Sequence, residues 1–174
     1  YCASFRAGRF DFTIVSVHIA EGSGQGAVGH KLREQEITEL VKFIKHEAGR
    51  AQDTVFDPDF FLVGDFNIQT DGDRFFQALT GGEAPRFMMP DGMNKLGTNL
   101  DQTKTFDKIA WIPSNEFEFT GKFGAIPFGN VLYQETDQPK DAARKEVSDH
   151  LPIWAEFRVT ELQAELDQIL NQRE

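Results

Sequence analysis

Four stretches place reactive polar side chains where apolar runs begin or end. The run from Phe10 to Ile19 carries His18 near its close. Phe61, Leu62, Val63 and Gly64 lead into Asp65, Phe66 and Asn67, and the two-residue period of a strand would turn the Asp65 carboxylate and the Asn67 amide to one side. Asp107 lies in the run Thr105 to Trp111, and Ser148, Asp149 and His150 stand just before Leu151, Pro152 and Ile153. Taken singly, each has an ordinary structural reading. Asp65 with Asn67 is common turn composition, His18 suits a satisfied core histidine, Asp107 a solvent-facing group, and Asp149 with His150 a strand cap. The conjunction is what carries chemistry: Asp, Asn, Asp and His at successive strand ends supply hard oxygen ligands for a small divalent cation and imidazoles that move protons.

Positioning these groups requires a scaffold, and the 174 residues are enough for one well-packed domain. From Phe10 to His18 apolar side chains fall on both faces, as in a strand covered on two sides. Gly22, Gly24, Gly26 and Gly29 then read as a loop, and Ile37, Leu40, Val41 and Ile44 recur at helical spacing up to Gly49. A second apolar strand runs from Phe60 to Phe66, and a short helix from Asp73 to Leu79 closes on Gly81 and Gly82. Pro85 to Lys104 has no periodicity and reads as a long surface loop. A strand returns at Phe106 to Ile112, Phe117 and Phe119 alternate with acidic residues as an edge strand would, Gln134 to Glu146 is polar, and Leu151 to Val159 alternates again. A last helix is expected from Thr160, whose hydroxyl with Gln163 forms a capping box. Neither an internal repeat nor an interdomain linker interrupts the pattern.

Composition narrows the partners. With 18 Lys and Arg against 28 Asp and Glu, the formal net charge is −10, so the chain has no global field for polyanions and a phosphate-bearing substrate needs a local positive site or a metal ion. Arg6, Arg9, Lys31, Arg33, Lys104 and Lys108 are either the lining of a nucleic-acid groove or solvated surface. The longest apolar run, Phe12 to Ile19, is broken by Ser16 and His18, so no membrane span is expected. Cys2 is the single cysteine, which excludes an internal disulfide or a cysteine-based zinc site and leans towards a reducing, cytoplasmic setting.

The segments Ser16-Val17-His18, Gly64-Asp65-Phe66-Asn67, Phe106-Asp107-Lys108-Ile109 and Ser148-Asp149-His150-Leu151-Pro152, in that order, resemble the endonuclease/exonuclease/phosphatase superfamily, which includes deoxyribonuclease I and exonuclease III. The resemblance implies an α/β fold, a four-layer α/β sandwich with two facing, mostly antiparallel sheets. It also implies divalent-metal-dependent cleavage of phosphate esters, most directly a nuclease acting on DNA or RNA, with a phosphomonoesterase, an inositol-lipid phosphatase or a non-catalytic assembly module as alternatives. By the same resemblance Asp65 orients or activates the attacking water, and Asn67 holds the phosphate or that water. His150 assists attack, Asp107 fixes its tautomer, and His18 contacts the phosphate or protonates the leaving oxygen. The metal is expected to be magnesium, with manganese as the alternative, held in part by Asp65, Asn67 and Asp149.

The departures shape a further expectation. The family's first-strand Asn and its principal metal-ligand Glu would lie before Tyr1, because Gln35 and Glu36 come after His18 within a helical period and read as a solvated helix face. A sandwich of this kind runs to roughly 200 to 250 residues. Residues 1–159 are therefore expected to be the C-terminal portion of the domain and 160–174 an amphipathic helix. The stripe Leu162, Leu166, Ile169 and Leu170 would dock on its own domain or on another chain. Such a portion should bind magnesium weakly and hydrolyse little by itself, and should be covered by a second copy or by a complementing N-terminal chain.

Overall fold

Phe, Ile and Val on alternate positions make the second strand of the protein the hinge between two cores. The computed structural model describes residues 1–8, 10–19, 27–50, 57–68, 74–82 and 85–159. Strands β1 (Cys2–Ala7), β2 (Phe10–His18), β3 (Phe60–Asp65) and β4 (Asp107–Trp111) form one sheet in that order. The β1–β2 and β3–β4 pairs are antiparallel, and β2–β3 is parallel. The parallel pair requires a crossover, and α1 (Ala27–Gly49) supplies it. β5 (Phe117–Ala125) and β6 (Ile153–Val159) pair antiparallel as a second, two-stranded sheet.

Helical spacing on α1 gathers Ile37, Val41 and Ile44, and α2 (Arg74–Thr80) adds Phe75 and Leu79. These side chains pack with Val15, Ile19, Leu62 and Ala110 in a core between the helices and the larger sheet. The alternate residues of the same strands face the other way. Phe10, Phe61 and Trp111, with Phe12, Ile14 and Val63 beside them, meet Phe117, Phe119, Phe157 and Val159 of the small sheet. Phe61 lies at the centre, with its ring centroid 4.9 Å from those of both Phe117 and Phe157. The chain's 17 Phe residues find their use here, since flat rings fill the thickness between sheets at tilted and edge-on angles.

Among the described residues the layers are helix, sheet, sheet. The outer face of the small sheet carries exposed Glu118, Trp154, Glu156 and Arg158, so the fourth, helical layer of the expected sandwich is not found among these residues. Two further helices, α3 (Gly129–Leu132) and α4 (Pro139–Glu146), pack with each other, and Ala143 joins Leu100 and Leu151 in a third small cluster. No helix among the described residues is long and apolar enough to cross a membrane.

Several local expectations need correction. Gly29 lies inside α1, which begins at Ala27. The strand β1 and the helices α3 and α4 were not legible from periodicity. α4 falls in the polar stretch Gln134 to Glu146, where only Ala143 is buried, so no apolar stripe marks it, although Pro139 sits in its first turn. Gln35 and Glu36 are exposed on α1, as a solvated face requires. Gly22, Gly24, Gly26, Asp73 and the whole of the expected helix 160–174, with its leucine stripe, lie outside the described residues.

At the end of β3 remote from the strand-end polar groups, Asp59 is only 6% exposed. Burial, reinforced by Asp57 and Glu116 and opposed by a hydrogen bond from Ser114, pushes its carboxyl up to about 6. A carboxyl raised in the fold binds a proton that the unfolded chain has already released, so stability falls as the pH climbs from about 4 to above 6. Asp59→Asn is expected to raise stability at pH 8 by on the order of 1 to 3 kcal/mol and to change it little at pH 4. Urea unfolding at the two pH values checks this.

Candidate active site

Strand register draws the first three groups into one row. In the parallel pair His18 stands opposite Asp65, and in the antiparallel pair Asp65 stands opposite Asp107. His18, Asp65 and Asp107 are thus cross-strand neighbours on three adjacent strands, at the end where β2 and β3 finish and β4 begins. Gly64 makes the close approach: its φ is +133°, and a Cβ there would lie 2.0 Å from the Val17 carbonyl oxygen.

Beyond Asp65 the chain leaves the sheet, so Asn67 reaches the site by a turn and not by strand alternation. Asn67 has a φ of +54°, a left-handed conformation that Asn tolerates better than most residues. Its main-chain N–H donates to Asp65 Oδ1 at 2.8 Å and its side-chain Nδ2 to the Ile19 carbonyl at 2.8 Å. Phe66, between them, is fully buried and anchors the turn in the helix-side core.

His150 arrives from the loop before β6. Leu100 N donates to the Asp149 carbonyl at 2.9 Å and Leu151 N to the Thr98 carbonyl at 2.6 Å, while the His150 N–H donates to Ser148 Oγ at 3.0 Å. The ring stacks on Phe106 with centroids 5.7 Å apart. Thr98 is fully buried, and its Oγ1 accepts from the Asp107 N–H at 3.1 Å, so this one residue, through its main-chain carbonyl and its hydroxyl, ties the His150 loop to β4. Sequence reasoning missed Thr98 and Phe106 as supports, because neither carries a group that suggests chemistry.

The reactive atoms now meet. His150 Nδ1 lies 2.8 Å from Asp107 Oδ2. Asp65 Oδ2 lies 3.9 Å from His150 Nε2 and 3.7 Å from His18 Nε2. The His150 and Asp65 side chains are largely shielded, whereas that of His18 is 77% exposed. Burial by itself would depress the His150 pKa, but the Asp107 hydrogen bond and the charges of Asp107, Asp65 and Asp149 outweigh it, and the pKa stands above the ordinary value. Asp107, an acceptor, makes Nδ1 the donor, so in the neutral ring Nε2 carries the lone pair facing Asp65.

Asp149 is adjacent and exposed, acting on His150 through its charge. Among the described residues no three His, Cys, Asp or Glu side chains are grouped so as to hold a metal ion. Asp65 Oδ2, Asn67 Oδ1 and the Asp149 carboxylate are oxygen donors of the right hardness, but they do not make a complete coordination shell. Of the six cations considered as a nucleic-acid lining, Arg33 and Lys108 are buried, at 8% and 0% exposure, and Arg6 is paired with Asp11. Arg9 lies outside the described residues.

Asp107→Asn should lower the His150 pKa, since it removes both the charge-assisted hydrogen bond and one of the three charges that raise it. The imidazole then loses its proton at lower pH than in the native protein. Titration of the His150 ring followed by NMR checks the sign.

No family model matches the sequence, and no curated protein matches it. Solved structures do resemble it. A functionally unknown conserved protein from Enterococcus faecalis V583 is similar with a TM-score of 0.56 at 16% identity, over 91% of this chain and 55% of that one. An endonuclease/exonuclease/phosphatase family protein from Bacteroides thetaiotaomicron is similar with a TM-score of 0.51 at 16% identity, over 90% of this chain and 54% of that one. The chain spans about half the length of these structures, and what it shares with them is the fold, which in this chain is an α/β arrangement with two sheets.

Proposed function

We propose that the protein hydrolyses phosphate esters at the site formed by Asp65, Asn67, Asp107, His150 and His18. The observation that carries this reading is the arrangement around Asp65 Oδ2, which faces His150 Nε2 at 3.9 Å and His18 Nε2 at 3.7 Å while Asp107 holds the far side of His150 at 2.8 Å. A water touching both Asp65 Oδ2 and His150 Nε2 would lose its proton to this pair as it attacks phosphorus. The imidazolium so formed is stabilised by Asp107 and can donate to a non-bridging phosphate oxygen, where negative charge accumulates. His18, whose side chain is largely exposed, would protonate the leaving oxygen.

Magnesium, with manganese as the alternative, belongs to the proposal as the group that would neutralise phosphate charge. Asp65, Asn67 and Asp149 would contribute to holding it, with the remaining donors coming from outside the described residues. Phosphodiester cleavage, as by a nuclease, follows from the sequence resemblance. The burial of Arg33 and Lys108, in a chain of net charge −10, favours a second reading, a small phosphate ester such as a monoester or an inositol phosphate over a long polyanion. The deciding assay offers the full-length protein single- and double-stranded DNA, RNA and an inositol phosphate, with and without magnesium. Hydrolysis of one class that requires the metal supports the proposal, and no strand cleavage and no phosphate release from any of them overturns it.

A further inference from the structure

Arg33 belongs to no reactive group, yet it lies behind the turn that carries two of them. It sits on α1, 8% exposed, and its Nη2 donates to the Phe66 carbonyl at 2.8 Å and also to the Asn67 carbonyl. The guanidinium carbon lies 4.1 Å from the Phe75 ring centroid. Burying a guanidinium is costly unless its donors are met, and here two of the bonds end on consecutive carbonyls of one turn. Those carbonyls have left the sheet, because β3 ends at Asp65. The same turn holds Asn67 at a φ of +54° with its N–H on Asp65 Oδ1.

We propose that Arg33 is a positioning residue of this site: by clamping the Phe66 and Asn67 carbonyls it keeps the Asn67 N–H on Asp65 Oδ1 and so directs Oδ2 between His18 and His150. The chain of contacts is short and one-directional. α1 is the crossover between β2 and β3, so a side chain on it is fixed relative to both strands, and the two N–H bonds of the planar Nη2 group, held at a fixed angle by the guanidinium, satisfy both carbonyls where a freely rotating ammonium would satisfy them less rigidly. Without the clamp, Asn67 is free to relax from its left-handed conformation towards the commoner right-handed region, and its N–H swings away from the carboxylate. The effect on turnover rests on the function proposed above, whereas the effect on the turn does not.

The test compares the full-length protein with its Arg33→Met and Arg33→Lys variants. Met keeps an apolar stem against Phe75 and removes every donor, and Lys keeps a charge without the planar guanidinium. Amide exchange at Asn67, divided by that at Leu62 in the middle of β3, separates the local turn from global stability; the ratio is expected to rise by about 10-fold or more in Arg33→Met and less in Arg33→Lys. Magnesium-dependent hydrolysis of bis(p-nitrophenyl) phosphate, expressed per folded molecule, should lose about 10-fold or more in kcat with KM little changed, with partial rescue in Arg33→Lys. An unchanged exchange ratio in both variants overturns the proposal whatever the activity. A raised ratio with unchanged kcat also overturns it, leaving Arg33 as a stabiliser of the turn alone. If the native protein itself releases no nitrophenol, the kcat comparison is made on whichever phosphate ester it hydrolyses in the assay above, and if it hydrolyses none the functional reading fails and the exchange ratio by itself decides whether Arg33 holds the turn. If Arg33→Met does not fold, Arg33→Lys carries both measurements.

Discussion

Replacing His150 or Asp65 by Ala is expected to lower metal-dependent hydrolysis by on the order of 100-fold or more while the protein stays folded. The two losses have separate causes. His150→Ala removes the imidazole whose Nδ1 is held by Asp107 at 2.8 Å, and with it the acceptor for the water proton and the donor for the phosphate oxygen. Asp65→Ala removes the carboxylate facing both imidazoles and also the acceptor of the Asn67 N–H, so the turn loosens as well. Asp65→Asn isolates the first effect from the second, because an amide oxygen still accepts from Asn67. His18→Ala should cost less than either, since its side chain is mostly exposed and reaches Asp65 at 3.7 Å. Rates per folded molecule, with far-UV circular dichroism as the control for folding, give the comparison. Near-full activity in His150→Ala would show that the roles given to these residues are wrong.

Gly64→Ala is expected to cost about 3 kcal/mol or more of stability and to abolish activity with it. A φ of +133° is strained for any residue with a Cβ, and the space for that atom is already taken by the backbone of β2, with the Val17 carbonyl oxygen at 2.0 Å and its nitrogen at 3.1 Å. A main-chain carbonyl in a sheet does not rotate away as a flexible side chain would. The strands must therefore separate where Val17 pairs with Gly64, one residue before His18 pairs with Asp65. Urea unfolding measures the first loss. A variant within 1 kcal/mol of the native protein would mean that β2 and β3 do not approach so closely at this point.

The division between what could be read in the chain and what could not follows from the range over which each feature is set. Strands β2, β3, β4 and β6 and the helix α1 were legible because each buries a face, and burial of a face writes a period into its own residues. β2 shows this on both sides, with Val15 and Val17 towards the helices and Phe10, Phe12 and Ile14 towards the small sheet. The candidate site was legible in part for a similar reason, since Asp65, Asp107 and His150 each stand beside an apolar strand and their residue types name their chemistry. β1 and α4 left no such trace, as five of the six β1 residues are exposed and α4 buries only Ala143. The sequence by itself therefore determined which segments form the scaffold and which polar groups stand at its ends. Tertiary structure alone decided that Lys108 and Arg33, indistinguishable in the sequence from solvated cations, are buried, and that Arg33 ends on carbonyls 33 and 34 residues further along the chain. A side chain's type announces what it can bond to, but the carbonyls that satisfy a buried charge are placed by the crossover of α1 over β2 and β3, and no local pattern records where that crossover brings them.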